Sequence, residues 1–223
     1  MKILALDTSS EHCSVALWLD GEVRGRDALC GQRHTEVALP MVDALLAEAG
    51  LRLSDLSGIA FGAGPGSFTG LRIACGLAQG LAFGAGLPVV GVSTLEALAQ
   101  ASGAHRVIAC VDARIGEIYH AAYQREARGW RIMAPAMLCR PEQAPEVPGA
   151  GWTGCGSGFD AYGDTLRQRY GGCLDGVLHG LYPRAQDIVE LAAPRFAAGE
   201  GQDPAEALPI YLRDKVALKE SER

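Results

Sequence analysis

Two short stretches carry residue types whose spacing could do chemistry. The first is Gly62-Ala63-Gly64-Pro65-Gly66-Ser67-Phe68-Thr69-Gly70, between an apolar run and a helical one. A strand–loop–helix connection of this kind turns backbone N–H groups toward one point and suits an anion such as phosphate. Gly64, Gly66 and Ser67 are its candidate contacts. The loop has no P-loop lysine, and Ser67 follows Gly62 and Gly64 where a dinucleotide turn would place its third glycine. The competing reading is a tight turn in which Ser67 or Thr69 caps the helix. The second stretch, Asp7-Thr8-Ser9-Ser10, ends the apolar run Ile3–Leu6. A carboxylate among hydroxyls suits a nucleotide phosphate and its magnesium. With no basic residue nearby in sequence, a turn in which Asp7 accepts from neighbouring N–H groups is favoured. Weak contacts of Asp7, Thr8, Ser9 and the loop with ATP or ADP and magnesium are the most these stretches suggest, and no required cofactor follows.

Other chemistry finds less support. His34 opens a helical segment, but a second metal ligand three or four positions on would fall on Val37 or Ala38, so no metal site is expected. His12, His105, His120 and His179 are scattered. Gly156-Ser157-Gly158 misses the nucleophile-elbow pattern and reads as a turn. Cys110 lies in an apolar strand-like run, where a thiol is usually inert. The seven cysteines are odd in number and form no C-x-x-C pair, which argues against disulfide frameworks and zinc and fits a reducing cytoplasm.

The elements that must position these residues follow from periodicity. Ile3–Asp7, Ser14–Leu19 and Glu22–Leu29 predict three strands, with Asp20-Gly21 turning the second hairpin. Thr35–Ala49 predicts a helix stopped by Gly50, with Pro40 in or near its first turn. A strand at Leu56–Phe61, a helix beyond the glycine loop, a strand at Val89–Val92 and a helix at Thr94–Ala101 complete a βββαβαβ order. Such an order implies a mixed sheet covered by helices. The run Ile108–Ala113 echoes Ile3–Thr8, which suggests a duplicated α/β fold. The expected division is residues 1–103, 104–200 and a C-terminal piece, 201–223, probing back toward the first half and ending in a charged tail.

From Gly70 to Gly84 the only strongly polar side chains are Arg72 and Gln79, while Gly76, Gly80 and Gly84 recur every fourth residue beside Ala74, Ala78 and Ala82. Each interior glycine costs a helix about 1 kcal/mol against alanine, so close packing by another element is the expected compensation. Ile73, Leu77 and Leu81 form a ridge suited to the domain's own sheet, and Met41, Leu45 and Leu46 widen the apolar surface of the first helix. A subunit interface is therefore predicted on both helices, over His34, Val37, Ala38, Met41, Leu45, Arg72, Ala74, Gly76, Ala78 and Gly80.

With 223 residues, 48% of them hydrophobic, the chain can bury a full core. Its net charge of −6 and its three lysines, Lys2, Lys215 and Lys219, give no lysine-rich nucleic-acid face. Ile73–Val92 is apolar enough to suggest a membrane span, but Gln79, Pro88 and several glycines break it.

Several phrases carry a family resemblance: LALDTSS, RHTEVALPMVDALL, GPGSFTGLRIACGLAQGLA, VDARIGEIY and the Pro209–Arg213 segment PIYLR. Through them nearly the whole chain resembles the bacterial TsaB family of tRNA threonylcarbamoyladenosine biosynthesis proteins. The resemblance implies an actin-like ATPase fold of two ribonuclease-H-like halves. It implies a noncatalytic, cytoplasmic subunit that pairs through its first two helices with TsaD, the subunit carrying a metal-binding H-x-x-x-H. It also implies recruitment of the ATPase partner TsaE, contact with tRNA only through the complex, and a homodimer when alone. Against it stand an actin-like enzyme, either a phosphotransferase or a glycoprotease-like peptidase, and a free-standing structural homodimer.

Overall fold

The structure, a computed structural model, describes residues 1–213; the expected charged tail lies outside the described residues. The first unit contains β1 (Lys2–Asp7), β2 (His12–Leu19), β3 (Glu22–Leu29), α1 (His34–Ala49), β4 (Gly58–Gly64), α2 (Phe68–Ala85), β5 (Val89–Ser93) and α3 (Thr94–Ser102). The second contains β6 (Arg106–Arg114), β7 (Glu117–Glu126), β8 (Gly129–Cys139), β9 (Trp152–Cys155), α4 (Ser157–Tyr170), β10 (Leu174–Leu178) and α5 (Ala185–Ala197).

The two sheets share one topology. The orders are β3-β2-β1-β4-β5 and β8-β7-β6-β9-β10. In each, three antiparallel strands form a meander and two further strands run parallel to its first. The duplication is incomplete at one place. Where the first unit inserts α1, the second has only a short 3-10 turn, Pro141–Gln143, because the prolines crowded there cannot supply helical N–H donors.

Alternation along the strands sorts the core into layers. Leu4, Leu6, Val15, Leu17 and Phe61 face α1 and α2, whereas Ile3, Ala5, Ala16 and Ala60 face α5. The second sheet sets Ile108, Cys110 and Ile118 against Phe159 and Leu166 of α4, and its other face meets Leu95, Leu98 and Ala99 of α3. The last helix of each unit thus packs on the other unit's sheet. This corrects the expected division at residue 201: the chain returns to the first sheet from Ala185 onward, because Ile188, Val189 and Ala192 form the stripe that covers its alanine-rich face. Beyond α5, Val89 and Gln202 exchange backbone hydrogen bonds of 2.9 Å, and Ala207 is buried under α2.

Pro40 also departs from expectation. It sits within α1, well past the first turn, and both it and Glu36, whose carbonyl loses its helical donor, are on the exposed side of the helix. The six-residue β1 takes in its expected strand, and α1 and α3 begin within a residue of their predicted starts. The Asp20-Gly21 turn has positive φ at both positions, the geometry a tight two-residue hairpin requires.

Candidate functional site

The first candidate centre lies where β1 runs into the glycine loop. Asp7 is fully buried, and its Oδ1 accepts from the Ser9 backbone N–H at 3.0 Å and the Ser9 hydroxyl at 2.9 Å. Its Oδ2 has no partner among the described residues and rests against Gly62, where any side chain would collide with it. Burial dominates the Ser9 hydrogen bonds and raises the Asp7 carboxyl to about 7. The Thr8 hydroxyl donates to the Gly70 carbonyl at 2.7 Å.

The loop amides turn inward. Ser67 N–H donates to the Ser9 carbonyl at 2.8 Å, and the Ser67 side chain caps α2 by accepting from Gly70 N–H at 3.3 Å. Gly66 allows the Ser9 backbone to come close, and Gly64 has φ 117° beside the Ile210 carbonyl. Asp7, Ser9 and Ser67 are therefore joined by hydrogen bonds with Gly66 packed against Ser9, whereas Thr8 bonds to Gly70 and Gly64 lies beside Ile210. Between the units, Ser9, Ser10, Pro65, Ser157 and Tyr182 border a cavity of about 50 Å³. Small-molecule pockets measure about 300 Å³ or more, so this cavity by itself does not enclose a nucleotide.

The second candidate centre is the outer surface of the first unit. In α1, His34, Ala38 and Leu45 are buried by the chain itself, and Val37 and Met41 are half-buried against Cys13, Cys30, Ala38 and Leu77. In α2, Ala74 and Ala78 are completely buried against the sheet. For His34, Ala38, Leu45, Ala74 and Ala78 the predicted surface position is corrected. The sheet-facing ridge of α2 is the small one, since alanine lets the helix sit close to β4, while Ile73, Leu77 and Leu81 lie at its flank, half-buried. His34 is held at 3.2 Å from the Cys30 sulfur, and burial lowers its pKa.

The remaining predicted residues, Arg72, Gly76 and Gly80, belong to one row. Phe68, Arg72, Gly76, Gly80 and Gly84 repeat at i, i+4 along α2, and all five are exposed. Nothing lies within 4 Å of where a side chain would begin on Gly76, Gly80 or Gly84. Phe83, 81% exposed, flanks the row's end. At its start the Arg72 guanidinium stacks 3.7 Å from the Phe68 ring centre, and its Nε donates to the Tyr211 hydroxyl at 3.0 Å.

Sequence reasoning missed Phe68 and the C-terminal strap beside it. The strap is anchored at Ala207, whose carbonyl accepts from Gln79 Nε2 at 3.1 Å. At its other end Arg213 donates to the Ala113 carbonyl at 2.9 Å and pairs with Glu117 at 2.8 Å in the second unit. The i, i+4 spacing of Phe68 and Arg72 was the available signal; Tyr211 had none, being 139 residues from Arg72. Among the described residues no three His, Cys, Asp or Glu side chains group as a metal site, and no helix is long and apolar enough to cross a membrane.

Two sheets of one topology, exchanged closing helices and a cleft between the units define a protein of the actin-like ATPase fold class. Residues 28–152 match the family described as "TsaD: tRNA N6-adenosine threonylcarbamoyltransferase". The "tRNA threonylcarbamoyladenosine biosynthesis protein TsaB" of Escherichia coli K12 is 43% identical, covering 98% of this chain and 97% of its own length; that of Haemophilus influenzae is 39% identical over 98% and 96%. The solved structure "YeaZ from Pseudomonas aeruginosa" is 42% identical with a TM-score of 0.87, covering 95% of this chain and 99% of that one. The chain belongs to the TsaB family.

Proposed function

We propose that this chain is a noncatalytic subunit in the biosynthesis of threonylcarbamoyladenosine on tRNA, pairing with and supporting the catalytic subunit TsaD and helping to recruit TsaE. The observation that carries the reading is the open glycine row of α2, where Gly76, Gly80 and Gly84 leave backbone uncovered. Two of these, Gly76 and Gly80, lie in the helix interior, and at about 1 kcal/mol each they are a cost that close approach of a second polypeptide offsets. Alone, the chain covers this row with a second copy of itself.

The absence of chemistry of its own is supported by the first helix. TsaD binds its metal through H-x-x-x-H; here His34 stands four residues before Ala38, and its ring nitrogen faces Cys30. Contact with tRNA then runs through the complex, in the cytoplasm.

The test is threonylcarbamoyl transfer to tRNA by TsaD and TsaE with and without this chain. The expected result is transfer only when it is present. Full-rate transfer without it refutes the support role, and transfer by the chain alone refutes the noncatalytic one.

A further inference from the structure

Arg72 is the only charged side chain of the 18-residue α2. It stands in the exposed row between Phe68 and the three glycines, and none of the ion pairs among the described residues includes it. It lies over the Phe68 ring and its Nε donates to the Tyr211 hydroxyl, which leaves the two terminal nitrogens, a planar fork of donors, outside that hydrogen bond. The two side chains that flank it are aromatic and half-exposed, Phe68 and Tyr211, and the strap also carries Leu208, 72% exposed.

A partner that covers this patch removes water from the guanidinium. A desolvated cation without a counter-charge is strongly unfavourable, so a surface that fits here must bring an acceptor of negative charge. The fork matches a carboxylate in bidentate geometry. The flanking aromatic rings and the single cation of this helix favour a protein side chain over an RNA phosphate, since nucleic-acid surfaces are met by clustered cations. With a net charge of −6 the chain does not attract acidic proteins at long range, so Arg72 acts at contact and sets register.

We propose that α2 and the strap formed by residues 207–213 make one docking surface in which Arg72, held between Phe68 and Tyr211, clamps an aspartate or glutamate of the partner subunit. The inference rests on the pairing with TsaD proposed above, and adds the chemistry of the contact and the participation of the C-terminal strap.

The experiment is titration calorimetry of full-length TsaD with the full-length wild-type chain and with Arg72→Ala, Arg72→Glu, Arg72→Lys and Tyr211→Phe, at two salt concentrations. Arg72 is exposed, so each variant keeps its melting temperature within a few degrees. Arg72→Ala raises Kd about tenfold or more, and Arg72→Glu about a hundredfold or more. Arg72→Lys recovers only part of the loss, because an ammonium neither stacks nor forks, and the salt dependence of Kd shrinks in Arg72→Ala. Wild-type binding with Arg72→Ala and Arg72→Glu both within twofold overturns the clamp while leaving the pairing intact. A loss confined to tRNA binding or to self-association overturns it too. No binding by the wild-type chain removes the pairing, and the clamp with it.

Discussion

Replacing Gly76 and Gly80 by alanine should strengthen the isolated chain and weaken the pairing with TsaD proposed above. Both glycines lie in the interior of α2 with ordinary helical φ, and a methyl group at either meets nothing within 4 Å. Glycine to alanine at such a position gains about 1 kcal/mol. Two substitutions one turn apart, each pointing into solvent, add to about 2 kcal/mol. For a chain of this size 1 kcal/mol moves Tm by about 2–4 °C, so the double variant should melt about 4–8 °C higher. In the proposed complex the same methyl groups would intrude between packed surfaces, at a cost of about 1–3 kcal/mol, or a Kd roughly 5- to 150-fold higher. Gly80→Leu should weaken pairing further while leaving the fold intact. Calorimetric melting at two concentrations, to separate self-association, and titration against TsaD measure both halves. A lower Tm in the alanine variant would mean that the row is already covered by this chain. Unchanged affinity in Gly80→Leu would mean that partners dock elsewhere.

Other outcomes follow from the buried groups. The folded-state pKa of Asp7 is raised from 3.8 to about 7, so the folded chain holds a proton that the unfolded chain has released. Its contribution to stability is fully present below pH 3.8 and lost as pH rises toward 7, on the order of 4 kcal/mol in all. Urea midpoints of Asp7→Asn against wild type should therefore diverge in favour of the variant from pH 4 to 7; parallel curves refute the assignment. His120 has the opposite sign, because burial lowers it to about 4 and its stabilisation is lost as pH falls from 6.5. Tyr170→Phe removes the 2.7 Å hydrogen bond to its Nε2 and, with Nδ1 already unpartnered, should cost about 1–3 kcal/mol at pH 7 by urea unfolding; a loss under 0.5 kcal/mol would show that the bond is absent. Gly62→Ala drives a methyl group into Asp7 Oδ2, so it should express poorly or melt many degrees lower, and wild-type melting would mean that β1 and β4 are less closely set.

Much of this molecule was written locally. The order of strands and helices through Ser102 follows from hydrophobic period and turn residues, and the echo of Ile3–Thr8 in Ile108–Ala113 marks the first strand of each sheet. The surplus of glycine on α2 was equally visible. Its orientation was not: by size alone, Leu77 and Leu81 seemed the residues for the sheet, yet Ala74, Ala78 and Ala82 took that place.

Sequence by itself determined the elements, the duplication and the scarcity of charge on α2, because each depends on residues a few positions apart. Only the tertiary structure decided that α3 and α5 exchange sheets, that the Ser67 amide of the glycine loop bonds to Ser9, and that Tyr211 bonds to Arg72. Those arrangements depend on which distant surfaces fit closest, and packing of that kind leaves no period in the chain to read.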